Sequence, residues 1–149
     1  MKRAAPPSSL ALMAMLSTGL LLGGHAACAS GEVVAVVATG NPVATLTRNE
    51  VVAIFLGKAS RFPDGSQTVP VDQPEGSDAR DASYLLYAGK SAAQLKAHWS
   101  KIIFTGRGQP PKDVSNSAEV RKFVASNPHA IGYIEKAFVD STVRVVLTQ

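Results

Sequence analysis

Short β-branched runs alternate along the chain with stretches of helical periodicity. The run at 32–37 is rich in valine and predicts a buried strand. Shorter apolar runs at 68–71, 130–134 and 143–147 predict three further strands. Because strands alternate with helical segments, the pattern predicts an α/β sheet with helices on its faces.

Two of the predicted helices begin at capping boxes, in which a Ser or Thr precedes Glu or Gln by three residues. Thr47 and Glu50 open a short helix that closes at Gly57, and Ser91 and Gln94 open a helix that runs toward Ile103. A further helix is expected to begin at Asn116 and to stop before Pro128.

The remaining predicted helix opens at Gly76-Ser77 and ends near Gly89. Three consecutive residues are expected on its apolar side, namely Tyr84, Leu85 and Leu86. The segment from Thr105 to Lys112 is rich in glycine and proline and is predicted to be a loop.

The first 29 residues have the pattern of a secretory signal peptide. Lys2 and Arg3 precede an apolar stretch at 10–22, and Ala27-Cys28-Ala29 fits a cleavage site. The apolar stretch is about 13 residues long, against roughly 20 for a membrane span. We therefore expect an exported, periplasmic protein with one mature domain at 30–149.

Cys28 has two fates that the sequence leaves open. Cleavage after Ala29 removes it, whereas cleavage before Cys28 would leave it to carry a lipid anchor. Bacterial lipoprotein signals resemble Leu-Ala-Gly-Cys, and His25 takes the place of the leucine here, which favours the first interpretation.

Composition and spacing exclude several functions. The formal net charge is +4, and only +2 once Lys2 and Arg3 are left out, which is too weak to indicate nucleic-acid binding. The single cysteine and the distant His98 and His129 predict no metal site. No nucleophile motif, Walker motif or dinucleotide fingerprint occurs, so we expect neither an enzyme nor a cofactor.

Two segments have the residue types that bind anions. In the first, Gly76, Ser77, Asp78, Ala79 and Arg80 start a helix directly after a strand, where free backbone N–H groups and the helix dipole favour negative charge. The alternative is that Ser77 is only a helix cap and that Arg80 pairs with Glu75.

The second segment combines Thr105, Gly106 and Arg107 with the later helix start at Ser117. Glycines allow a backbone to approach a ligand closely, and Arg107 supplies positive charge. The alternative, equally open, is a solvated loop that needs glycine for its turns.

Four motifs together resemble the phosphate-binding proteins of ABC transporters. They are Ile54-Phe55-Leu56-Gly57-Lys58, Val69-Pro70-Val71-Asp72, Glu75-Gly76-Ser77 and the segment from Asn127 to Ile134. They occur in the family's order, and the match covers roughly 33–147. The resemblance implies a three-layer α/β sandwich, one lobe of a type II periplasmic binding protein-like fold.

The resemblance also implies that Ser77 and nearby amides hold the anion. The family's Gly-Ser-Gly-Thr loop corresponds to Gly76, Ser77, Asp78 and Ala79, so a charge and a methyl group replace a glycine and a hydroxyl. Gln73 stands where the family has an arginine that contacts phosphate.

The function so implied is capture of phosphate or a related small anion for an ABC permease or a sensor. A homodimer could supply the missing second jaw. The alternative is an envelope module of the same fold that has lost anion binding and engages a protein partner, which the changes at Gln73, Asp78 and Ala79 favour.

Overall fold

A five-stranded mixed sheet organises residues 31–147, the part of the chain that the computed structural model describes. The strands are β1 (Val33–Ala38), β2 (Val69–Asp72), β3 (Lys112–Asp113), β4 (Ala130–Glu135) and β5 (Val143–Val145), in the order β3-β2-β4-β1-β5. β2 runs parallel to β3 and β4, and β1 runs antiparallel to β4 and β5. The predicted signal peptide and Cys28 lie outside the described residues.

The four predicted strands are confirmed, but the loop prediction for Thr105 to Lys112 is wrong at its end. Lys112 begins β3, pairing with Val71, and Asp113 pairs with Asp72. A two-residue strand in parallel pairing has no periodicity that a sequence pattern could reveal. It forms because the edge of β2 would otherwise leave backbone groups unpaired.

Within residues 31–147, four helices complete the fold, together with a 3-10 turn at Lys136–Phe138. They are α1 (Arg48–Phe55), α2 (Asp78–Ala88), α3 (Ala92–Phe104) and α4 (Ser117–Ser126). Both capping boxes form as predicted: in the first, the Thr47 amide donates to the Glu50 carboxylate at 2.7 Å. Between residues 31 and 147, no helix is both long enough and apolar enough to cross a bilayer.

The helices cover both faces of the sheet, which confirms the three-layer architecture. All six residues of β1 are buried, and the first five alternate between two apolar clusters. One cluster contains buried side chains of α1, α2 and α3, and the other contains Val120 and Val124 of α4. β1 therefore contributes side chains to the core on both faces of the sheet.

Gly132 fixes the contact between the sheet and α4. A Cβ atom at this position would lie 2.5 Å from Cγ1 of Val120 and 3.0 Å from Cγ1 of Val71. Real Cβ atoms do not approach other heavy atoms so closely, so the glycine lets α4 pack directly on β4.

The predicted apolar side of α2 is only partly correct. Tyr84 is buried, but Leu85 and Leu86 are 61% and 54% exposed. Ala79 and Ser83 face the core instead, one helical turn apart. The helix is thus rotated so that its two leucines project into solvent.

Both α2 and α4 begin at the same edge of the sheet. β2, β3 and β4 run in one direction, so their last residues, Asp72, Asp113 and Glu135, lie along that edge. We call it the carboxyl edge. The N-termini of α2 and α4 bring partial positive charge to it.

Candidate functional site

Asp72 is the centre of a buried polar cluster at the carboxyl edge. It is 2% exposed, and its carboxylate accepts hydrogen bonds from the hydroxyl groups of Tyr84, at 2.8 Å, and Tyr133. The backbone N–H of Gln73 donates to the same carboxylate at 2.8 Å. A buried carboxylate needs such donors because it has lost its hydration shell.

Arg80 supplies the counter-charge from the first turn of α2. Its Nε lies 3.4 Å from both carboxylate oxygens of Asp72, and its Cζ lies 5.6 Å from the ring centroid of Tyr84. Burial lowers the pKa of the guanidinium, but the interactions with Asp72, Tyr84 and Tyr133 together outweigh this and leave the pKa above its ordinary value. We call Asp72, Arg80, Tyr84 and Tyr133 the carboxylate cluster.

The pair uses only one nitrogen of the guanidinium. Within residues 31–147, Nη1 and Nη2 of Arg80 form no hydrogen bond, although the side chain is only 14% exposed. Asp72 therefore fixes the orientation of Arg80 without occupying its two terminal NH₂ groups. Those groups have the planar fork geometry that suits an oxyanion.

Both tyrosines of the cluster are held in their neutral form. Burial raises the pKa of Tyr84 and of Tyr133 well above the ordinary value, and the nearby charge of Asp72 raises both further. Each phenol can therefore donate to Asp72 throughout the physiological pH range. Their rings pack edge to face with each other and with Phe55 of α1.

Gln73 connects β2 to β4 and α4. It is buried, and its side-chain amide donates to Ser117 Oγ at 3.2 Å and to the backbone oxygen of Tyr133 at 3.3 Å. Where the resemblance expects an arginine that contacts phosphate, the chain thus has an amide that is engaged within the fold.

Ser117 is buried at the first residue of α4. Its Oγ accepts from Gln73 and from the N–H of Glu135, at 3.3 Å. Its own O–H forms no hydrogen bond to another group of residues 31–147, so it remains a donor. The sequence analysis grouped Ser117 with Thr105, Gly106 and Arg107, whereas the structure connects it to the end of β2 through Gln73.

The segment before α2 is shaped as a helix entry. Gly76 has φ +87°, a conformation that favours glycine, and Ser77 caps the helix by accepting from the N–H of Arg80 at 3.2 Å. Helix geometry leaves the N–H groups of Asp78 and Ala79 without intrahelical partners. The Asp78 side chain is exposed, while the Ala79 methyl group is buried in the core.

Of the alternative interpretation, the cap role of Ser77 is confirmed, but the pairing of Arg80 with Glu75 is wrong. Glu75 pairs with Lys96 of α3 at 3.5 Å, and both side chains are exposed. Arg80 turns inward because its attraction to the buried carboxylate of Asp72 is stronger than its attraction to the solvated carboxylate of Glu75.

The second predicted anion segment is separate from the first. Thr105, Gly106 and Arg107 are exposed at the end of α3, and no hydrogen bond or ion pair within residues 31–147 joins them to residues 72–80. The segment leads into Lys112, which pairs with Val71 in β2.

A further expectation from the sequence concerns metal ligands. Residues 31–147 contain no group of three metal-ligating side chains. His98 is half-buried, with Nε2 3.0 Å from the backbone oxygen of Leu56, and His129 is exposed. A groove of about 640 Å³ beside Leu86 and Val145 includes none of the predicted site residues.

The sequence analysis missed the role of Asp72, Tyr84 and Tyr133. One signal was present: Asp72 directly follows the apolar run Val69-Pro70-Val71, and an acidic residue that is buried with such a strand needs a partner. Nothing in the sequence indicated a polar role for Tyr84 and Tyr133, because the apolar pattern of the helix and the strand explains their positions.

Comparison with known proteins supports the fold but not an assignment by sequence. No family model matches the chain, and no curated protein matches it. Among solved structures, one similar protein is described as a phosphate ABC transporter substrate-binding protein of Clostridium perfringens, with bound phosphate; the match has 24% identity and a TM-score of 0.62. It covers 78% of this chain and 45% of that one.

Two further structures agree. An ABC-type phosphate transport receptor from Vibrio cholerae matches with 20% identity and a TM-score of 0.61, over 78% of this chain and 45% of that one. PstS from Borrelia burgdorferi matches with 13% identity and a TM-score of 0.60, over 80% and 48%. This chain has the fold of one PstS lobe. It spans less than half the length of each of these proteins.

The expected fold class, one lobe of a type II periplasmic binding protein-like sandwich, is thereby confirmed. Two of the matched structures are described as phosphate transport proteins, and at identities of 24% and below the similarity shows the fold.

Proposed function

We propose that the chain binds phosphate or a related small oxyanion at the carboxyl edge, around the start of α2. The observation that carries the proposal is the geometry of Arg80, which Asp72 holds through Nε while both terminal NH₂ groups stay uncommitted. An oxyanion would accept from those groups in a bidentate arrangement.

Backbone and hydroxyl donors would complete the site. The N–H groups of Asp78 and Ala79 point out of the N-terminal end of α2, and the Ser117 hydroxyl retains a donor at the start of α4. Gly76 and Ser77 would shape the loop around the anion. The part of Thr105, Gly106 and Arg107 in this site remains a prediction.

Two departures from the family's loop shape the electrostatics. Asp78 adds a negative charge beside the anion, but its exposure screens that charge through water. Ala79 contributes only its N–H because its methyl group packs in the core. We therefore propose a weaker site than a complete Gly-Ser-Gly-Thr loop would form.

The proposal also concerns location and partners. An exported, periplasmic protein of this fold would deliver its anion to an ABC permease or a sensor, and it would bind rather than transform its ligand. The matched structures are titled as transport proteins, which supports a permease partner in general terms. They give no support to a homodimer.

Charge variants test the proposal under calorimetric titration with phosphate. Arg80→Lys keeps the charge that Asp72 needs but loses the planar fork, so phosphate affinity should fall about tenfold. Asp78→Asn should raise the affinity about threefold by removing a nearby negative charge. Asp64→Asn, which removes an equally exposed charge from the 63–65 turn, should change little. Equal effects of Asp78→Asn and Asp64→Asn would contradict the site.

A further inference from the structure

The end of α3 projects into solvent with an unusual surface. Phe104, the last helical residue, is 93% exposed, and the neighbouring Ile103 is 54% exposed. Every residue from 103 to 110 is exposed. We call residues 101–112 the Phe104 tip.

The tip has a defined shape. Thr105 donates its hydroxyl to the backbone oxygen of Lys101 at 2.8 Å, and the N–H of Gly106 donates to Ile103 at 3.1 Å. Gly106 has φ +67°, and the N–H of Arg107 returns to Ile102 at 3.0 Å. These bonds close the helix end, so Phe104 stands outward on an ordered turn.

The tip is also uniformly basic. No aspartate or glutamate occurs from Ser91 to Lys112. Lys101, Arg107 and Lys112 lie in the tip, and none of them forms an ion pair within residues 31–147. An aromatic and an aliphatic side chain are thus surrounded by uncompensated positive charge.

We propose that the Phe104 tip docks on an anionic lipid surface. Phe104 and Ile103 would enter the boundary between headgroups and acyl chains, and Lys101 and Arg107 would meet headgroup phosphates. A small, exposed, basic tip fits such a surface because lipid adapts to its shape, whereas a protein partner needs a broader complementary face. The proposal does not depend on the anion site at α2.

Vesicle sedimentation tests this docking with the full-length protein. Vesicles of phosphatidylcholine with about 30 mol% phosphatidylglycerol should bind the protein at low salt, and added salt should weaken the binding. Pure phosphatidylcholine vesicles should bind at least about fivefold less. Comparable binding to both lipids, or none to the anionic vesicles, would overturn the proposal.

Matched variants locate the contact. Phe104→Ser should reduce binding about fivefold or more. Leu85→Ser removes a leucine that is 61% exposed on α2, outside the tip, and should leave binding unchanged. Equal losses in the two variants, or none in Phe104→Ser, would refute a contact at the tip.

Two further experiments distinguish lipid binding at the Phe104 tip from phosphate binding and from dimer formation. Inorganic phosphate, compared with sodium chloride at equal ionic strength, should not displace the protein from vesicles; displacement would assign the binding to a phosphate site and overturn the proposal. A concentration-dependent dimer that Phe104→Ser abolishes, without vesicle binding, would assign the tip to a second copy instead.

Discussion

The hydroxyl group of Tyr84 donates a 2.8 Å hydrogen bond to the buried carboxylate of Asp72, across the junction between α2 and the end of β2. That bond, with those from Tyr133 and Gln73, lets a carboxylate that is 2% exposed remain inside the fold. The same carboxylate orients Arg80 at the entry to α2. Folding and the proposed ligand site thus share one polar cluster.

Asp72→Asn should destabilise the protein by about 2–4 kcal/mol, because it leaves the Arg80 charge unpaired and weakens the acceptors for two tyrosines. Asp113→Asn is the matched control: Asp113 pairs with Asp72 in register but is exposed, so its replacement should cost under about 0.5 kcal/mol. Urea unfolding followed by circular dichroism measures both. Similar losses would show that burial of Asp72 does not matter.

The protein should lose stability as the pH rises above 10. Tyr84 and Tyr133 ionise near their ordinary pKa of 10.0 when unfolded, but burial raises both pKa values in the fold. Raised folded pKa values mean that the stabilisation is complete below pH 10 and decreases above it, by about 1.4 kcal/mol per pH unit for each tyrosine.

Tyr133→Phe isolates that effect. The variant should be less stable at neutral pH because Asp72 loses a donor, yet its stability should fall less steeply in alkali than that of the wild type. Urea unfolding between about pH 9 and 11 measures both slopes. Parallel curves for the two proteins would contradict the assignment.

Gly132→Ala should cost about 1–3 kcal/mol through overpacking, since the new Cβ would lie 2.5 Å from Val120. Gly40→Ala provides the comparison, because a Cβ there meets nothing within 4 Å. Thermal melts of both variants check the prediction. A Gly132→Ala protein as stable as Gly40→Ala would mean that α4 can move away from the sheet.

Ser77→Ala should remove a helix cap and weaken phosphate binding together. Ser91→Ala removes the equivalent cap of α3, and each should cost about 1 kcal/mol of stability. Only the Ser77 variant should bind phosphate more weakly in calorimetry. If both variants bind equally well, Ser77 serves as a cap and has no role in the site.

The sequence predicted helix starts well because caps are local. Thr47, Ser91 and Asn116 each satisfy an N–H three residues away, so short motifs carry the full signal. The rotation of α2 was not predictable in this way. Leu85 and Leu86 are apolar, so the sequence places them on the buried side of the helix. The hydrogen bond from Tyr84 to the buried carboxylate of Asp72 instead orients α2 so that both leucines face solvent.

The candidate site was predicted less completely than the fold. Gly76 and Ser77 form a helix entry with free amides, as the motif predicts. The partner of Arg80 was mistaken because Asp72 precedes it by eight residues, with a turn between them, and no periodicity reveals such a contact. Gln73 likewise reaches Ser117, 44 residues away, only through the strand order.

Calorimetric titration of the folded wild-type protein with phosphate, with sulfate and organic anions in parallel, tests the central claim most directly. A site with a prepositioned Arg80 but a single lobe should bind phosphate with a dissociation constant between about 1 μM and 1 mM, or roughly −8 to −4 kcal/mol, and more tightly than sulfate. No heat of binding with any anion would contradict the claim.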